Sequence, residues 1–195
     1  RNVVCEEFKE HYINRPYGDV WHKLREMVYT THPYRWPTIG LELDHIREAK
    51  LSDVESFFYS WYRPNNAILS ISGGISTAKA LELAEKWFGD IPAGVQPERI
   101  IPQEPAQSAA RFKKVEADVP VNLVYQVWHM DGRNGSGYYA QNLLSDVLGN
   151  GESSRLYQSL KMEQQLFTDI SAYVSGSMDT GMFVVSGKLA DGVSY

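Results

Sequence analysis

The residue whose type and position most invite chemistry is Glu7, near the start of the chain. At about 100° per residue, Val3, Val4, Phe8 and Tyr12 share one arc of a helix, and Glu7 falls inside that arc. A carboxylate that faces a protein core is costly unless it is paired. Its partner could be an arginine, a set of hydrogen-bond donors or a metal ion, and the residue pattern alone leaves all three open.

Other potential metal ligands occur close by. His11 follows Glu7 at the i, i+4 spacing, and Glu26 follows His22 at the same spacing. This spacing places two side chains on one helix face, where they can reach a common ion. His32 begins the segment HPYRWPTIG, residues 32–40, whose two prolines and final glycine predict an ordered, irregular loop.

Length and composition indicate a globular protein. The chain has 195 residues, of which 43% are hydrophobic and 12% aromatic, enough for a substantial core. The net charge of −5 at pH 7 and the lack of like-charge runs argue against nucleic-acid binding. The single cysteine, Cys5, excludes an internal disulfide framework. No apolar run reaches membrane-spanning length, so we expect no membrane insertion.

Hydrophobic spacing predicts helices in the first half of the chain. One helix follows the breaker cluster at residues 14–18 and covers 20–28. The clearest helix covers residues 52–62, with Ser52 and Glu55 as a capping box and a wide apolar face. Ser76 or Thr77 is expected to cap a further helix that ends at Gly89 and whose apolar stripe we expect to be buried. Between these helices, residues 67–75 (AILSISGGI) alternate as a half-buried strand would.

The second half begins after residues 93–110, a proline-rich stretch without periodicity that we interpret as a linker. Beyond it, residues 111–117 and 121–130 are predicted to be strands, and 138–148 a helix. A short helix over 153–161 and a strand pair over 168–176 and 181–189 follow. Helices on one side of a mostly antiparallel sheet make an α+β fold.

Three segments resemble the pitrilysin, or insulinase-like (M16), family of zinc metallopeptidases. The first is RNVVCEE, in which Asn2, Val4 and Glu7 match the family spacing Asn-x-Val-x-x-Glu. The second is the His-Pro-Tyr and Ile-Gly of residues 32–40. The third is RPNNAILSISGGIS, residues 63–76, running on into AEKWFGDIP, residues 84–92.

The resemblance implies two incomplete α+β sandwich domains: residues 1–92 as the end of a zinc-binding domain, 93–110 as a linker and 111–195 as the start of a non-zinc domain. Glu7 becomes the third zinc ligand, after two histidines of an inverted His-x-x-Glu-His motif that these 195 residues lack. We therefore expect a fragment that is inactive by itself and that carries no catalytic residue of its own. His11, His22 and Glu26 match no ligand position, so we interpret them as surface or packing residues, and the resemblance gives His32 a structural role.

The implied activity of the complete protein is zinc-dependent hydrolysis of peptide bonds in short or unfolded polypeptides, inside a chamber closed by the second domain. Lys161 and Thr168 stand where the family carries a substrate-contacting arginine and tyrosine. Lysine offers no planar two-point grip, and threonine does not reach as far as a tyrosine hydroxyl. This departure favours either a homologous second subunit that supplies the missing contacts or a family member whose chemistry differs in detail.

Two other functions remain open at this point. One is a non-catalytic structural or partner subunit of the same family, and the other is a free-standing peptide-binding module. The compartment is undecided between the bacterial periplasm and the cytoplasm.

Overall fold

The computed structural model describes residues 1–194 and divides into two compact units. One unit contains Arg1 and Asp44–Ile100, and the other contains Asn2–Leu43 together with the residues from Ile101 onward. Both units contain helices, and the second also contains an antiparallel sheet. The predicted α+β class is confirmed, while the predicted domain boundaries at residues 92 and 111 stay a prediction.

The unit of residues 44–100 is built mainly from helices. Helix α3 (Leu43–Glu48) begins at its boundary, α4 spans Leu51–Trp61, a 3₁₀ turn spans Pro64–Asn66, and α5 spans Thr77–Phe88. Helix α5 is capped as predicted, because the Ser76 hydroxyl accepts the Lys79 backbone N–H at 3.3 Å. The predicted capping box of α4 is wrong, since the Asp53 carboxylate accepts the Lys50 N–H at 2.9 Å in place of a Ser52–Glu55 pair.

The predicted strand over residues 67–75 is also wrong in this structure. The segment forms no strand, and within the described part of the chain no second segment pairs with it, although a strand needs a ladder partner. For the same reason the apolar faces of α4 and α5 lack a sheet to pack on. Phe57 is 58% exposed and Trp87 is 68% exposed, so the expected burial of these faces is not observed.

The other unit contains the first helices of the chain. Helix α1 (Asn2–Phe8) continues as a π-helix over Lys9–Ile13, and α2 (Val20–Val28) follows where its spacing predicts it. A 3₁₀ turn over Pro33–Arg35 forms the predicted irregular loop. Further on, α6 spans Tyr138–Gly149, and the predicted short helix is a π-helix over Tyr157–Glu163.

The sheet has three antiparallel strands in the order β1-β3-β2. Strand β1 spans Leu123–Met130, β2 spans Phe167–Ser175 and β3 spans Gly181–Leu189, so the predicted β2–β3 pair is confirmed. The strand predicted over residues 111–117 does not form, because that segment joins no ladder.

The core of this unit lies where α2 meets the sheet. Val28 and Tyr29, at the end of α2, pack with Met182 and Val184 of β3, and all four side chains are at least 94% buried. Helix α6 packs on β2 through Gly149, where an added Cβ would lie 1.9 Å from the Ala172 backbone nitrogen. Among the described residues, no helix is both long enough and apolar enough to cross a bilayer.

Candidate functional site: a cleft between the first helix and the sheet

Helix α1 buries only part of the face that its sequence predicts. Cys5 and Phe8 are buried, whereas Val3 is 72% exposed and Val4 39% exposed. Glu7, which shares the arc of the two valines, is exposed as well. The expectation that this arc faces the core therefore holds for only one side of it: Phe8 is buried and Tyr12 is partly buried, whereas Val3, Val4 and Glu7 are exposed.

The potential metal ligands near α1 do not converge. Among the described residues, no group of three or more His, Cys, Asp or Glu side chains could hold a metal ion. His22 is buried and packs edge-on against the rings of Phe8 and Tyr12, at centroid distances of 5.8 Å and 4.4 Å. This agrees with the interpretation of His22 as a packing residue. The assignment of Glu7 as a metal ligand stays a prediction.

A cleft of about 480 Å³ lies between the segment that follows α1 and the sheet. One wall follows the π-helical end of the first helix and the loop after it, and the other wall is formed by residues of all three strands. We call this feature the loop–sheet cleft. It is lined by His11, Tyr12, Arg15, Pro16, Tyr17, Gly18 and Trp21 on the helical side, and by Leu123, Tyr125, Asp169, Ser186, Gly187 and Lys188 on the sheet side.

Tyr17 ties the helical wall of the cleft to Val121, two residues before β1. Its hydroxyl donates to the Val121 carbonyl oxygen at 2.7 Å and accepts the Val121 backbone N–H at 3.1 Å. Its backbone has a φ of 62°, the left-handed region that non-glycine residues rarely occupy. Gly18 follows at a position where a Cβ would lie 2.6 Å from the His11 carbonyl oxygen. The loop is therefore packed tightly on the helix end and tied to the sheet.

The charges around the cleft are mostly basic. Arg15 is exposed, and its guanidinium makes no hydrogen bond or ion pair with any residue that the structure describes. Lys188 lies 4.0 Å from Asp169, with both side chains largely exposed. His11 adds a third nitrogen-bearing side chain on the helical wall.

The two predicted substrate-binding residues lie at separate places in the same unit. Lys161 is in the π-helix, where its ammonium nitrogen lies 4.7 Å from the centre of the Tyr157 ring. Thr168 is on β2 next to Asp169 of the cleft, and its hydroxyl lies 3.4 Å from the Lys188 carbonyl oxygen. A register irregularity between Phe167 and Asp169 places Thr168 at a bulge. Their predicted role in substrate binding is not tested by these contacts.

One functional group that the sequence does not single out is Glu104, within the predicted linker. Its carboxylate accepts the backbone N–H groups of Thr30, Thr31 and His32 at 2.6, 2.9 and 2.8 Å. The hydroxyls of the two threonines donate to it at 2.7 and 3.2 Å. Partial burial by itself would raise the pKa of Glu104, but the hydrogen bonds outweigh it and lower the pKa from 4.5 to about 2.

The loop held by Glu104 leads into the buried aromatic core. His32 is 2% exposed, and its Nδ1 accepts the Tyr34 backbone N–H at 3.1 Å, which caps the 3₁₀ turn. Its Nε2 lies 3.4 Å from an Asp179 carboxylate oxygen without hydrogen-bonding geometry. Burial raises the pKa of the neighbouring Tyr29 to about 12, so its hydroxyl stays protonated and donates to the Thr180 carbonyl at 2.9 Å. The structural role expected for His32 is thus observed.

A second cavity, of about 490 Å³, lies between α2 and residues 111–119 and also touches the start of β1. Lys23 lines it and is paired with Asp19. Burial and the nearby charge of Lys113 lower the pKa of Lys23, and Glu26 opposes the change. Arg111 donates to the carbonyl groups at the end of α2, which ties the segment after the linker to that helix.

Comparison with known proteins places these features in a family. Residues 49–194 match the family model described as the peptidase M16 inactive domain. The chain is 30% identical to the zinc protease PqqE of Helicobacter pylori over 189 residues, covering 94% of this chain and 42% of that protein. It is 26% identical to the uncharacterized zinc protease YmxG of Bacillus subtilis, covering 96% of this chain and 44% of that protein.

Solved structures agree with this assignment. A protease from Helicobacter pylori superposes with a TM-score of 0.83 at 28% identity, covering 98% of this chain and 47% of that one. The peptidase M16 inactive domain from Pseudomonas fluorescens has the same fold, with a TM-score of 0.74 at 20% identity, over 96% of this chain and 45% of that one. The chain thus spans less than half the length of each of these proteins.

Proposed function

Because the chain belongs to the M16 peptidase family, we propose that it forms part of a zinc-dependent endopeptidase and lines the chamber that binds the polypeptide substrate. The observation that carries this proposal is the loop–sheet cleft. Its helical wall continues directly from the helix of Glu7, and its sheet wall includes the neighbour of Thr168. A cleft with polar and aromatic side chains along strands suits an extended peptide.

The zinc site itself cannot be built from these residues. A catalytic zinc takes three protein ligands and an open position, and the described residues offer no cluster of three ligating side chains. In this proposal Glu7 is one carboxylate ligand, and the others come from parts of the complete protein outside this chain. The exposure of Glu7 leaves its carboxylate accessible to such residues.

Substrate contact is the role proposed for Lys161 and Thr168, with a homologous second subunit as a further source of contacts. The ammonium group of Lys161 supplies a positive charge but lacks the planar guanidinium with which an arginine makes two parallel hydrogen bonds. Thr168 lies next to the cleft on β2. In the complete protein, short or unfolded polypeptides are the substrate class.

The test uses the complete protein that contains this chain. Zinc content by elemental analysis and cleavage of a quenched fluorescent peptide are measured for the wild type, for Glu7→Gln and for Glu10→Gln. Glu10 is an exposed glutamate on the π-helical continuation of α1, so its variant is the matched control. We expect Glu7→Gln to lose both zinc and cleavage and Glu10→Gln to keep both. Full zinc content in Glu7→Gln would exclude Glu7 as a ligand.

A second candidate function is a non-catalytic subunit of an M16 assembly. The contacts of Lys161 with Tyr157 and of Thr168 with Lys188 favour it, because these side chains are engaged within the chain. In that case the wild-type complete protein contains no stoichiometric zinc and cleaves no peptide, with or without added metal.

A further inference from the structure

The rim of the loop–sheet cleft has a charge opposite to that of the whole chain. The chain carries a net charge of −5 at pH 7. At the cleft, however, two cationic side chains, Arg15 and Lys188, face a single acidic side chain, Asp169. A local field of sign opposite to the protein's total charge attracts ligands of the matching charge into the site.

Asp169 does not neutralise this rim. Its carboxylate lies 4.0 Å from the Lys188 ammonium, and side-chain exposures of 66% and 49% leave the pair open to water. An exposed pair at this distance is weak, so Lys188 remains available to a ligand. Arg15 has no acidic partner among residues 1–194.

The backbone that carries Arg15 is held in place by the loop after the first helix. The Gly18 N–H donates to the Arg15 carbonyl at 2.9 Å, which closes a turn around Pro16 and Tyr17. The Tyr17 hydroxyl then ties this turn to Val121 beside β1. A cationic group on a fixed loop loses less conformational entropy on binding than one on a mobile segment.

A guanidinium binds a carboxylate with two parallel hydrogen bonds, which makes arginine selective for planar anions. The neutral amide of glutamine has the same shape but lacks the charge and offers only one acceptor atom. An arginine side chain therefore distinguishes glutamate from glutamine.

We propose that the loop–sheet cleft recognises an acidic side chain of the bound polypeptide, with Arg15 as the main carboxylate-binding residue and Lys188 as a second cation. This inference rests on the proposed function, because it names the substrate class of the same cleft. Arg15 acts in this proposal as a specificity-determining residue and takes no part in bond cleavage.

The test measures peptide binding separately from hydrolysis. Fluorescein-labelled peptides with an amidated C-terminus, identical except for one central Glu, Gln or Lys, are titrated by fluorescence anisotropy with the complete, chelator-treated protein. We expect the Glu peptide to bind about tenfold more tightly than the Gln peptide, and the Lys peptide to bind more weakly than both. The preference should weaken as ionic strength rises.

Variants then assign the preference to the cleft. Arg15→Glu should abolish or reverse it, and Arg15→Lys should keep part of it. Arg133→Glu is the matched control, since Arg133 is an exposed arginine of the same unit that does not line the cleft. Because the Arg15 side chain makes no hydrogen bond or ion pair within the described chain, Arg15→Glu should melt at the wild-type temperature.

The outcomes separate this inference from the proposed function. Equal affinity for the Glu and Gln peptides, or an unchanged preference in Arg15→Glu, overturns the inference and leaves the peptidase proposal standing. If only a Gln peptide with a free C-terminal carboxylate binds tightly, Arg15 recognises a chain terminus and the side-chain proposal is wrong. If no peptide binds, the substrate-binding role of the cleft fails with it.

Discussion

The contact that lends itself to the sharpest test is the one between Glu104 and the loop of Thr30, Thr31 and His32. We consider the change Glu104→Gln, which preserves shape but replaces one acceptor oxygen with an N–H donor. The three backbone N–H groups that point at the carboxylate then face an amide that accepts only through its single oxygen. The variant should therefore be less stable than the wild type at neutral pH.

The magnitude follows from the lowered pKa. A change from 4.5 to about 2 corresponds to at most about 3.4 kcal/mol, at about 1.4 kcal/mol for each pKa unit. Because Glu104 is only half-buried, screening by water reduces this to about 1–2 kcal/mol. The pKa is lowered in the folded state, so this stabilisation is complete above pH 4.5 and is lost as the pH falls toward 2.

The assay is urea unfolding followed by circular dichroism at several pH values between neutral and acidic. We expect the free energy of unfolding of Glu104→Gln to lie about 1–2 kcal/mol below the wild type at pH 7, and the two values to converge below pH 4.5. Glu98→Gln, at an exposed glutamate upstream in the predicted linker, should match the wild type throughout. A difference between Glu104→Gln and wild type that stays constant across this pH range would refute the reasoning.

Three further changes test other contacts, each by thermal unfolding. Tyr17→Phe removes both hydrogen bonds to Val121 and should cost about 1–3 kcal/mol; unchanged stability would show that the loop is held otherwise. Gly149→Ala should cost about 1–3 kcal/mol or prevent folding, because the new Cβ meets the backbone of β2; a neutral effect would contradict the packing of α6. Gln165→Gly should raise stability by up to about 1 kcal/mol, because Gln165 has a φ of 55°; a loss would show that its side chain contributes more than this strain costs.

The elements that could be predicted are those whose signal is local. Helices α2 and α6 occur where hydrophobic spacing predicts them, and β2 and β3 pair as adjacent strands joined by a short turn. The strand predicted over residues 67–75 has the same alternation, yet it has no partner among the described residues. Alternation indicates which residues suit a strand, but a ladder depends on a second segment that a local pattern cannot identify.

The exposed side of α1 shows the same limit for the candidate site. The periodicity groups Glu7 correctly with Val3 and Val4, since all three lie on one exposed side. It does not reveal how far the covered side extends, because the predicted arc includes the buried Phe8 but omits the buried Cys5. Family spacing, and not amphipathic pattern, is therefore what supports the assignment of Glu7.

By itself the sequence determined the family, the α+β class and the helices with strong apolar spacing, because these depend on residue types at short separations. Only the tertiary structure decided where the loop–sheet cleft lies and which charges face it. The tie between Tyr17 and Val121 spans 104 residues, and the contacts of Glu104 span 72 to 74. Such contacts form when distant segments are packed side by side, so no local pattern in the chain marks them in advance.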